Sequence, residues 1–96
     1  MFEVDLKTYL AYRAVMGTDT PSRVMAARTF LEACAAVEEG VRETMSTYGI
    51  ASRMLIDLLI EEIDVETIAA AILQGVSLRL SPMEAQRAHV IWPEIY

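Results

Sequence analysis

Residues 50–63 read IASRMLIDLLIEEI. Wound at 3.6 residues per turn, Ile50, Met54, Leu55, Ile56, Leu58, Leu59, Ile60 and Ile63 leave only a narrow polar stripe of Arg53, Asp57 and Glu61. No period-two alternation runs through the stretch, so it reads as a helix and not as a half-buried strand. A helix apolar around most of its circumference must be surrounded. In a short chain it is either the central helix of a bundle or the main face between chains, which makes Ile50, Met54, Leu55, Leu58 and Leu59 the expected oligomer interface.

Upstream, Gly49 is placed to stop a long helix over 21–48. There Val24, Ala27, Leu31, Cys34, Val41, Met45 and Tyr48 recur at three- and four-residue steps, with Glu38 breaking the stripe. This helix would be the spine. Gly40 in its interior costs about 1 kcal/mol relative to Ala, which points to a kink or a close helix contact. Glu38 and Arg42 are spaced as a favourable i,i+4 pair. Pro21 suits a first helical position, and Thr20 or Asp19 can accept from the first-turn amides. Before it, residues 4–16 read as a first helix that Gly17 can close with a left-handed cap.

Downstream, Asp64 reads as the N-cap of a helix over 65–78 with Val65, Ile68, Ile72 and Val76 buried, while Ala69, Ala70 and Ala71 let a neighbour approach closely. Only residues 76–80 (VSLRL) alternate apolar with polar, and whether they are helical is open at this point. Ser81, Pro82 and Glu84 form an N-cap, a first-position proline and a capping-box acid for a helix over 82–91. Residues 91–96 cannot stay helical through Pro93, yet keep large apolar groups, so they are expected to be a docking tail. The expectation is one all-α domain over 1–96, a small four- to five-helix bundle.

A chain of 96 residues buries only about two-thirds of its unfolded surface. Against that, 54% hydrophobic residues and a mean hydropathy of +0.32 are more than a free monomer hides easily. A homo-oligomer or stable complex with another protein is therefore expected. The net charge of −6, with eight basic residues scattered singly, argues against a nucleic-acid partner. A helix-turn-helix over residues 68–90 would present Glu84, Gln86 and Arg87 with little basic support. Cys34, the sole cysteine, sits among Ala33, Ala35 and Ala36 and suits a reducing compartment. The longest uncharged stretch, residues 67–78, is well short of the roughly 20 needed to cross a bilayer. The N-terminus lacks the pattern of a signal peptide. No membrane partner and a cytoplasmic location are expected, host cytoplasm if the source is viral.

Catalytic chemistry finds little to work with. His89 is the sole imidazole, Cys34 has no nearby cation in sequence to activate it, and no phosphate loop is present. Glu61, Glu62, Asp64 and Glu66 lack the ligand alternation and loop glycine of a calcium site, and Gln86 stands where a di-metal bundle needs Glu before His89. Neither a metal nor a cofactor is expected. Tyr9, Tyr12, Trp92 and Tyr96 cluster near the termini as candidate partner-binding anchors, unless they merely cover the bundle ends. The function expected is that of a non-enzymatic protein-binding factor acting as a homodimer. Such a factor is an adaptor or inhibitor of the kind phages or mobile elements encode, for example against a host defence complex. A structural subunit of a larger assembly and a helix-turn-helix-like DNA-binding regulator are the alternatives.

Overall fold

The first amides of a helix have no partner within it, and five of the six helices among the described residues answer one of them with a side chain three residues back. A computed structural model describes residues 2–49 and 52–91, in the order β1 (Phe2–Val4), α1 (Leu6–Met16), α2 (Thr20–Ala26), α3 (Phe30–Thr47), α4 (Arg53–Glu62), α5 (Val65–Gln74), β2 (Leu78–Leu80) and α6 (Pro82–Ile91). Asp5 Oδ1 accepts from Thr8 N at 2.9 Å and Thr29 Oγ1 from Glu32 N at 3.1 Å. Ser52 Oγ accepts from Leu55 N at 3.4 Å, Asp64 Oδ1 from Thr67 N at 3.1 Å and Ser81 Oγ from Glu84 N at 3.4 Å. The caps expected at Asp64 and Ser81 are thus in place. At α2 the acceptor is Thr18 Oγ1, which receives Thr20 N at 3.2 Å, while the Asp19 carboxylate turns to Arg23.

The protein is an all-α bundle, but residues 21–48 are two helices and not one. Ala27 and Thr29 are extended, with ψ of 144° and 161°. A capping arrangement marks the break: Thr29 caps Glu32, and Glu32 Oε2 reaches back to accept from Arg28 N at 2.8 Å. The break folds α2 back onto α3, where Thr20 meets Gly40. A Cβ on Gly40 would run into Thr20 Oγ1 and lie 3.0 Å from its Cγ2, so Gly40 is a close helix contact. Breaking the helix also breaks the stripe. α3 buries Ala33, Val37, Gly40 and Val41, while Leu31 and Tyr48, expected inside, are 80% and 76% exposed.

α3 is the spine, packed by α1, α2 and α5 and more sparsely by α4. Val15, Val24, Ala33, Val37, Ile68, Ala69 and Ala71 are completely buried at its centre. α5 ends at Gln74, short of residue 78, because Gly75 takes the left-handed conformation at φ +67°. Gly75 N then donates to Ile72 O at 3.2 Å and Val76 N to Ala71 O at 3.0 Å, closing the helix in a Schellman motif. Released, the alternating segment forms β2, which pairs in parallel with β1 in the register Phe2↔Leu78, Glu3↔Arg79, Val4↔Leu80. Residue 4 is therefore in a strand, and α1 begins after its Asp5 cap. Gly17 ends α1 at φ −85°, not left-handed, and Thr18 closes the helix by donating N and Oγ1 to Val15 O at 3.1 and 2.7 Å.

Candidate protein-binding surface

α4 turns one face to the bundle and leaves the other apolar. Ile56 and Ile60 are its buried residues. At about 100° per residue, Leu58 lies opposite their midpoint, with Met54 and Leu55 to either side. These three are 53%, 74% and 55% exposed. The helix is therefore peripheral, and its core side is already filled without them. Leu59, half-buried, shares the Leu55 flank and lines a groove of about 380 Å³ between α1, α3 and α4, together with Leu10, Ala14, Val41, Met45, Tyr48 and Ile63.

Polar contacts hold α4 at both flanks. Arg42 Nη2 lies 2.6 Å from Asp57 Oδ1, replacing the Glu38 pairing expected along α3, and Lys7 Nζ lies 2.7 Å from Glu62 Oε2. The Glu62 hydrogen bond and charge hold the Lys7 ammonium above its ordinary pKa. Exposed pairs are screened by water, so they orient α4 more than they stabilise it. The buried Thr8 adds a firmer pin: its Oγ1 accepts from Asp64 N at 3.0 Å, tying the α4–α5 junction to α1.

A second concavity, about 450 Å³, lies between the start of α3 and the α4–α5 junction, lined by Phe30, Leu31, Cys34, Glu38, Ile60, Ile63, Asp64, Val65 and Glu66. Burial, and then the charges of Glu66, Glu38 and Asp64, push the Cys34 thiol above its ordinary pKa, so it is protonated and poorly nucleophilic at neutral pH. Among the described residues no three His, Cys, Asp or Glu side chains converge as metal ligands, and no helix is long and apolar enough to cross a membrane.

Of the residues expected at an interface, Met54, Leu55 and Leu58 share the outer face of α4 and Leu59 its flank. Ile50 lies outside the described residues. Tyr12 is corrected from candidate anchor to core residue, at 9% exposure within the main cluster. Tyr9 is half-buried, its ring 6.4 Å from that of Tyr12 and under the Arg13 guanidinium at 5.9 Å. Trp92 and Tyr96, with the tail from residue 92 onward, lie outside the described residues, as does the side chain of His89. Leu31 and Tyr48, read as part of a buried stripe, are exposed, as are Leu10 and Phe30, for which the sequence offered no reading. The Thr29-x-x-Glu32 capping pattern was the signal that could have exposed Leu31. α5 and α6 are separated by residues 75–81, which include β2, and not by the tight turn of a helix-turn-helix. Compared with known protein families, curated proteins and solved structures, the chain matches no family model, no curated protein and no solved structure.

Proposed function

We propose that the chain is a non-enzymatic protein-binding factor, an adaptor or inhibitor, that works as a homodimer held by the outer face of α4. The observation that carries this is the contiguous exposure of Met54, Leu55 and Leu58 on a helix whose inward side is satisfied by Ile56 and Ile60. Loose collapse does not account for it. The radius of gyration is 13.2 Å, close to the roughly 13 Å of a compact chain of this length.

Magnitudes favour association. A large side chain carries about 150–250 Å² when fully exposed, so the wet fractions of Met54, Leu55, Leu58, Leu10 and Tyr48 amount to roughly 500 Å². Two copies meeting there would bury roughly 1,000 Å², the size at which a specific interface becomes tenable. The single, partly buried Cys34 thiol fits a reducing compartment such as the cytoplasm.

Light scattering across micromolar concentrations tests the proposal. The wild type is expected at twice the chain mass, and Leu58→Asp at the monomer mass with its helical circular dichroism unchanged. A wild type that stays monomeric throughout sinks it.

A further inference from the structure

We infer that the concavity between the start of α3 and the α4–α5 junction is a docking cleft for a cationic, amphipathic helical segment of a partner protein. It deepens the protein-binding reading by naming the partner's chemistry, and rests on that reading only in taking the ligand to be a protein.

The cleft's apolar floor is only partly used by the bundle, which takes Ile60 into its core and packs Cys34, Ile63 and Val65 against it but leaves Leu31 and Phe30 exposed. Leu31, Cys34 and Glu38 follow one another down the same flank of α3, at i, i+3 and i+7. Leu31 lies about 160° around α3 from the buried Ala33. Its 80% exposure is therefore the outcome of where α3 begins, and no core contact is lost by it. Phe30, 46% exposed, extends the floor, and Ile60, Ile63 and Val65 form the facing wall. Apolar anchors spaced along one helix face are the natural filling for such a groove.

The rim selects the sign of the occupant. Glu38, Asp64 and Glu66 line the cleft, and among the described residues no basic one does. Ion pairs elsewhere join Lys7 to Glu62, Arg23 to Asp19 and Glu43, and Arg42 to Asp57. Carboxylates around an apolar concavity focus negative potential into it. Burial first, and then the charges of Glu66, Glu38 and Asp64, raise the pKa of the Cys34 thiol on that floor. A second copy of this chain, at net charge −6, and a nucleic-acid backbone are both disfavoured by that potential. Asp64 is engaged in capping α5, where it receives Thr67 N and Oγ1, so the rim is not a set of free metal ligands. Lysines or arginines flanking apolar anchors answer both the floor and the rim.

Cys34, the sole thiol, reports occupancy directly. The probe is a synthetic leucine–lysine peptide with leucines at i, i+3, i+4 and i+7. Its control is the charge-reversed leucine–glutamate twin. Iodoacetamide alkylation of Cys34 in the full chain is followed at mildly alkaline pH. The lysine peptide is expected to slow alkylation and the glutamate twin to leave it unchanged. Leu31→Ser and Glu38→Lys are each expected to raise the peptide concentration required by about tenfold. Glu39→Lys makes the same charge change on the other flank of α3, beside Ala35 and Ala36, and is expected to leave it nearly unchanged. No protection, equal protection by both peptides, or equal loss in Glu38→Lys and Glu39→Lys overturns the inference. Leu58 does not line the cleft, so the two proposals fail separately. A dimer without protection removes the cleft alone, and a monomer whose protection depends on Glu38 removes the dimer alone.

Discussion

α5 buries Ile68, Ala69, Ala71 and Ile72, whereas α4, also ten residues long and joined to it through Ile63 and Asp64, buries only Ile56 and Ile60. Apolar content does not explain the difference, since α4 carries Met54, Leu55, Leu58 and Leu59 besides its two buried isoleucines. Side-chain size does. The alanines of α5 let its axis come close to α3, with Ala69 and Ala71 fully buried, while leucines at those positions would hold the helices apart. α5 sets small residues between Ile68 and Ile72 where the core closes, while Met54, Leu55 and Leu58 of α4 lie where the core has ended. A helix apolar on both faces therefore need not be central. It can have one partner inside the chain and another outside it.

The sharpest way to break that contrast is to truncate one residue in each helix. Ile68→Ala leaves a cavity among fully buried neighbours and should cost about 2–5 kcal/mol, lowering Tm by more than about 10 °C at any protein concentration. Leu58→Ala removes a half-exposed side chain, and at high dilution should shift stability by no more than about 0.5 kcal/mol. At higher concentration it should flatten the rise of Tm with protein that a dimer shows. Thermal melts over a dilution series measure both. A dilute Leu58→Ala that melts as early as Ile68→Ala would mean that α4 is core after all.

Close approach through small residues recurs where α2 crosses α3, and Gly40→Ala tests it there. An exposed helix would gain about 1 kcal/mol from that substitution. Here the added methyl meets the Oγ1, Cγ2 and Cβ of Thr20, which is completely buried and, being β-branched, has no free rotamer to retreat into. Overpacking of about 1–3 kcal/mol should therefore outweigh the propensity gain and give a net loss of about 1 kcal/mol. Thr20→Ala in the same chain should recover part of it, a coupling that chemical denaturation of the four variants would read. Additive losses would show that the α2–α3 crossing is looser than its geometry.

Sequence legibility followed the same division. The caps at Asp64 and Ser81 and the close contact at Gly40 are local chemistry, and each is where the residues placed it, whereas residues 76–80, open between a helix end and an extended link, form a strand at Leu78–Leu80. Met54, Leu55 and Leu58 were legible as a surplus apolar face because that surplus lies within one helix. Leu10, Phe30, Leu31 and Tyr48 were not, since whether a stripe faces inward depends on where the chain breaks and folds back. Threonine and glutamate at 29 and 32 carried the break, but the longer periodicity through Val24, Ala27 and Leu31 spoke for continuity. β1 is three residues long, too short for any period, and exists because β2 offers it an edge. Tyr12 could not be told from a contact anchor because a tyrosine ring serves a core margin and a binding face equally well.

Thr29 sits at that break, which decides which residues of α3 face α5 and which face the cleft. Thr29→Ala removes the acceptor for Glu32 N and should cost about 1 kcal/mol, or roughly 4–8 °C in Tm. It also replaces a β-branched residue with the best helix former at the junction of α2 and α3, which favours one straight helix locally. Straightening would withdraw Val24, now completely buried, and separate Thr20 from Gly40. Full burial of a valine alone contributes about 1.5–3 kcal/mol, more than the propensity gain, so the bend should persist and the helical circular dichroism should not rise. A rise in helicity would show that the cap, and not the core, sets the bend. Leu31 would then owe its exposure to a single hydroxyl, and the contrast between filled and unfilled faces would be a matter of local chemistry.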